Sequence, residues 1–138
     1  MMRTDIFNRF TNPVSARDQQ QEQRKSMKNA LINKNYNEIY AHEKAHQRAG
    51  GSLAGAIVIE RNEEGIPVSG HVDIKMPSVN PENPQKTIDD ANTVIRSAMA
   101  PNDPSNQDYA VAAKAQSIKM QAQAVKKETE GNELDIIA

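Results

Sequence analysis

Apolar positions along the 138-residue chain follow different periods in successive stretches, and Gly, Pro and Asn clusters separate them. Residues 1–17 are polar, aperiodic and broken by Pro13, which predicts a flexible arm. A helical stretch from about Ser15, whose hydroxyl suits an N-cap, through residue 34 fits the pattern, with the Gln-rich segment readable as helix or as disorder. Asn33, Asn35 and Asn37 weaken its middle, because asparagine side chains compete for backbone hydrogen bonds. Tyr36, Ile39, Tyr40 and His46 then fall at helical spacing and predict a firmer helix over residues 35–49, closed by Gly50 and Gly51.

The period next changes to two. Residues 56–60 are apolar and largely β-branched, residues 62–65 carry turn chemistry, and residues 68–75 alternate, which together predict a β-hairpin. In that alternation Val68, Gly70, Val72 and Ile74 share one face, and Ser69, His71, Asp73 and Lys75 the other. After a proline-rich loop, Asn83 caps a helix with Pro84 in its first turn and an apolar face of Ile88, Ala91, Val94, Ile95, Ala98 and Met99. Ser105, with Asp108 three residues on, opens a last helix with a narrow stripe of Val111, Ala115, Ile118, Ala122 and Val125, expected to end at Gly131. The fold class expected is α+β, with one domain over residues 18–130, between the arm of residues 1–17 and a tail of residues 131–138.

Composition narrows this picture. Only 37% of residues are hydrophobic, with two Phe, three Tyr and no Trp, so a core must be built from small aliphatic side chains. Net charge is −1, and no aromatic residues are interleaved with clustered lysines, so nucleic acid is not an expected partner. No apolar run is long enough to span a membrane, and the first residues lack the apolar stretch of a secretory signal. A cytoplasmic location is the default expectation, with export by another route left open. Oligomeric state is not legible. Cysteine is absent, so any metal must be held by His and carboxylates.

The segment His42-Glu43-Lys44-Ala45-His46 has the spacing H-E-x-x-H on the firmer helix. Residues four apart lie on one helical face, so His42 and His46 can each give a ring nitrogen to one Zn²⁺. Glu43 reaches the same side as a general base for a zinc-bound water, whose pKa the ion lowers to about 7. Peptide-bond hydrolysis on a peptide or protein substrate follows as the expected reaction. A third ligand is needed, and the only other histidine, His71, is reachable from the hairpin, opposite about Ile57; Glu60 and Asp73 compete for the place, and Asp73 also suits an outer-shell role. Arg48, Tyr40 and Tyr109 are further candidates for binding a carboxylate or oxyanion, with a solvated charge and buried packing as their ordinary uses.

The blocks YAHEKAHQRAGGSLAG, VSGHVDI, NPQKTI and AMAPNDPSNQDYAVAAKA, in that order over residues 35–126, resemble the SprA-related family of bacterial proteins read as metallopeptidases. The resemblance implies a zincin-like zinc site on His42, Glu43 and His46 and peptidase activity. The family's V-G-G-E-V block falls on Val68, Ser69, Gly70, His71 and Val72, so its glutamate falls on His71, a replacement of one zinc-ligand type by another. That departure supports His71 as the third ligand, and it also keeps open a non-catalytic zinc-binding or interaction protein on the same fold.

Overall fold

Ser15 starts the first helix as expected: its hydroxyl accepts a hydrogen bond from the Asp18 amide at 3.3 Å. In the computed structural model, which describes residues 15–137 with side chains through Gly131, this helix (α1) runs unbroken from Ala16 to Gly50. The arm expected over residues 1–17 therefore lies outside the described residues except for its last three. The asparagines do not interrupt α1. Each costs only tenths of a kcal/mol in a helix, and Asn35 uses its amide to donate to the Pro67 carbonyl at 2.9 Å, tying the helix to a strand. The first half of α1 is exposed on all sides, so its packing begins near Ile32. The helix closes where Gly51, at φ 55°, donates its amide to the Gln47 carbonyl.

A short 3₁₀ turn, Gly51–Leu53, leads into the hairpin of β1 (Ala54–Arg61) and β2 (Pro67–Ile74). Asn62 builds its turn. The carboxamide oxygen accepts from the amides of Glu64 and Ile66 at 2.9 and 3.0 Å, and Gly65 takes φ 80°. Glu60 pairs with Ser69 but Arg61 with Pro67, so Val68 is an extra, bulged residue. It is 57% exposed, whereas alternation had placed it on one face with Gly70, Val72 and Ile74. Those three do face α1, where they are partly covered.

Asn83 caps the next helix, α2 (Pro84–Ala98), by accepting from the Lys86 amide at 3.2 Å. Thr87 anchors the proline-rich loop to it: its hydroxyl donates to the Ser78 carbonyl and accepts from the Asn80 amide. The last helix, α3 (Asn106–Ile137), opens on a reciprocal cap in which the Asp108 amide donates to Ser105 Oγ and the Ser105 amide to Asp108 Oδ2. It does not stop at Gly131. Among the described residues only Gly51 and Gly65 take positive φ, so Gly131 remains helical at the modest cost of glycine in a helix interior.

The core is small, as the composition requires. Ile88, Ala91, Val94 and Ala98 of α2 meet Ala115 and Ala122 of α3, whose small side chains let the two helices approach closely. The architecture is α+β, with α1 and the hairpin laid against this helix pair. No described helix is long and apolar enough to cross a membrane.

Candidate metal centre

His42 and His46 project from one face of α1 toward the start of α3, with Nε2 atoms 3.2 Å apart. Asp108 completes a triangle: Oδ2 lies 3.2 Å from His42 Nε2, and Oδ1 lies 3.2 Å from His46 Nε2. Ligand atoms around a tetrahedral zinc, at bond lengths of about 2.0–2.1 Å, are about 3.3–3.4 Å apart. Each of the three side chains thus stands near that distance from the other two, and one ligand atom from each lies within 4.8 Å of the others, close enough to share an ion.

The outer ring nitrogens fix what faces inward. His46 Nδ1 lies 2.6 Å from the Ser97 carbonyl, which can only accept, so Nδ1 carries the hydrogen and Nε2 of the neutral ring presents a lone pair. His42 Nδ1 faces Asp103 Oδ1 at 3.3 Å, with the same consequence. Two lone pairs and a carboxylate then converge on one point, an arrangement that repels itself unless a cation or added protons sit between them. Zinc fits this donor set of two imidazoles and a carboxylate.

Ser97 holds the arrangement from below. It is fully buried, and besides accepting from His46 Nδ1 it donates its hydroxyl to the His46 carbonyl at 2.7 Å. Gly50 makes room for it: a Cβ there would lie 3.1 Å from Ser97 Oγ and 2.9 Å from Ala54 Cβ.

Glu43 lies on the same face of α1, 7% exposed. Burial pushes its carboxyl above the ordinary value of 4.5; His46 and His42 pull it back down, Asp108 adds to the rise, and His71 opposes it. Gly70 sits directly over it, since a Cβ at that position would lie 3.1 Å from Glu43 Cγ.

A cleft of about 400 Å³ joins these groups; it is lined by His42, Glu43, His46 and Asp108 and by the run of residues 70–74 along β2. The third place beside the histidines thus belongs to Asp108, which the sequence pattern had accounted for as a helix cap. It is both. Its Oδ2 accepts from the Ser105 amide at 2.8 Å while facing His42.

His71 does not join the group of ligand atoms that lie within 4.8 Å of one another. It pairs across the hairpin with Val58, one residue from the expected Ile57, and lines the cleft with its side chain half exposed. Its Nδ1 stands 3.6 Å from Glu60 Oε1, so Glu60 also stays on the hairpin. Asp73 lines the cleft, and the partners of the two imidazoles' Nδ1 atoms are Ser97 and Asp103. Tyr40 stacks on Tyr36 at 5.7 Å, Tyr109 is 54% exposed, and Arg48 is exposed, so none of these three lines the cleft.

A sequence profile of the SprA-related family matches residues 3–132. No curated protein and no solved structure matches the chain.

Proposed function

We propose that this chain, which belongs to the SprA-related family, is a zinc-dependent peptidase. His42, His46 and Asp108 would hold the ion. The observation that carries the reading is the cluster of His42, His46 and Asp108, each with a donor atom 3.2 Å from one of either neighbour, with Glu43 beside it. Bound there, zinc supplies Lewis acidity, lowering the pKa of a coordinated water to about 7 and polarising a carbonyl.

The rest is work for the chain's own residues. Glu43, buried beneath β2, takes the proton of the attacking water and returns it to the departing amine; its raised affinity for that proton suits both steps. Ser97 and Asp103 hold the two imidazoles in the tautomer that presents Nε2. Residues 70–74 form an extended edge along the cleft, a surface suited to the main chain of an extended peptide. That edge favours a peptide over a compact small-molecule substrate.

A second reading has its own support. Because Asp108 also caps α3, a metal at this site would staple α1 to α3 whether or not turnover occurs. A non-catalytic zinc-binding or interaction protein would use the site in that way. Elemental analysis of purified protein, followed by incubation with a mixed library of unstructured peptides, separates the two. The peptidase reading expects about one zinc per chain and cleavage that Glu43→Gln abolishes while zinc stays bound. Equal cleavage by that variant refutes the role of Glu43, and stoichiometric zinc with no cleavage leaves the structural reading.

A further inference from the structure

We infer that the substrate carries an aliphatic side chain (Leu, Ile, Val or Met) next to the bond that is cleaved, seated in a subsite of Ile74, Met76, Ala98 and Val111; this rests on the peptidase reading above and names its substrate class. These four residues line the same cleft as His42, Glu43, His46 and Asp108.

Two elements carry the cleft from polar to apolar as it passes the histidines. Along β2, Gly70 lies over Glu43, where a Cβ would be 3.1 Å from Glu43 Cγ, and Ile74 reaches the end of α1, where a Cβ on Gly50 would be 3.0 Å from Ile74 Cδ1. The strand therefore advances with α1, past His46 to its closing glycine. Along α3, Ser105, Asp108 and Val111 follow at three-residue steps and share a face. Ser105 and Val111 thus stand on opposite sides of the proposed ligand, one polar and one aliphatic. Val111 also lies one turn before Ala115, which is buried against α2. Ala98 comes from that helix, directly after the Ser97 whose carbonyl faces His46 Nδ1.

The chain leaves this surface open. Ile74, Met76 and Val111 are only partly covered, in a protein whose buried core is mostly alanine. An aliphatic group laid on them removes apolar area from water on both sides. A charged one would give up its hydration with no opposite charge among the four to replace it. Asp73 alternates to the other face of β2. At about 400 Å³ the cleft is near the lower end of sites that enclose a small ligand, room for a few residues of extended peptide.

The test is to digest the library of unstructured peptides with zinc-loaded wild type and to read the cleaved bonds by mass spectrometry. Leu, Ile, Val and Met should be enriched at one of the two positions flanking the bond. In a single good substrate, changing that residue to Ala should lower kcat/KM by at least about 10-fold, and to Asp further, since one methylene in an apolar pocket is worth about 10–200-fold. Fluorescence anisotropy of the same peptides, dye-labelled, on zinc-loaded Glu43→Gln should give the same order of binding without turnover. Val111→Lys and, in the loop after β2, Met76→Lys should each move the preference toward Asp or Glu at unchanged zinc stoichiometry.

Cleavage with no aliphatic preference at either flank would overturn the inference while leaving the peptidase reading intact. So would an aliphatic preference that both lysine variants leave unchanged. A zinc-loaded wild type that cleaves nothing removes both.

Discussion

Replacing Gly70 by alanine tests how tightly β2 is laid on α1. A Cβ at this position would lie 2.5 Å from Ile39 Cγ2 and 3.1 Å from the Val58 carbonyl oxygen. Carbon atoms in ordinary contact are about 3.5–4.0 Å apart, so the first contact is short by about 1 Å. Neither neighbour can yield freely. Ile39 is β-branched and confined to essentially one rotamer in a helix, and Val58 is backbone in the paired strand. The strand must lift, and overpacking of this kind costs about 1–3 kcal/mol.

One effect opposes it. Gly70 is not among the positive-φ glycines, so alanine suits its backbone and would stabilise by about 0.4–1 kcal/mol through the unfolded chain. The steric cost wins, leaving a net loss of about 1–2 kcal/mol, or a fall in Tm of about 3–7 °C for a domain of this size. Thermal and urea unfolding of metal-free protein read it directly. The proposed ligands lie on α1 and α3, so zinc stoichiometry should persist, while Glu43, whose Cγ is 3.1 Å from the new methyl, is displaced and kcat falls. A variant as stable as wild type would refute the close approach of β2 to α1.

Asp108→Ala should weaken zinc binding more than about 100-fold, beyond the 10–100-fold typical of an outer-shell partner, whereas Asp103→Ala, which removes a highly exposed partner of His42, should stay near tenfold; competition against a fluorescent chelator measures both. Chelation should lower Tm, since an ion at 100 times its Kd stabilises by about 2.7 kcal/mol. Ser97→Ala should cost about 0.5–1.5 kcal/mol by removing the buried hydroxyl's bond to the His46 carbonyl, read as a shifted urea midpoint. Glu43→Gln should stabilise the metal-free protein at pH 7. With its folded pKa raised, wild-type Glu43 contributes stability below its ordinary 4.5 and loses it as pH rises through the folded value, so the variant's advantage should vanish on acidification toward pH 4.5. An advantage that grows toward low pH would contradict the direction of the shift.

Element order, the caps at Ser15, Asn83 and Ser105, the hairpin and the pairing of His42 with His46 were all legible from the chain alone. Each depends on neighbours within a few residues, where backbone geometry leaves little choice. Two local readings failed for reasons of degree. Gly131 can end a helix but need not, and the asparagines of α1 were too weak to break it once Asn35 found Pro67. Alternation also missed the bulge that turns Val68 outward, because one inserted residue inverts the pattern beyond it.

The third side chain of the site depended on what is distant in sequence. Asp108 already satisfied a local rule as a helix cap, and nothing nearby marked its second use. Only the return of α3 across α2 brings it to histidines on the first helix, and the same packing sets Ser97 beneath His46 and Gly70 above Glu43. His71 was chosen for its chemistry, but the pleat of β2 holds it on the cleft wall beside Glu60. Spacing within a helix determines which two groups can share an ion; the packing of separate elements decides which third group meets them.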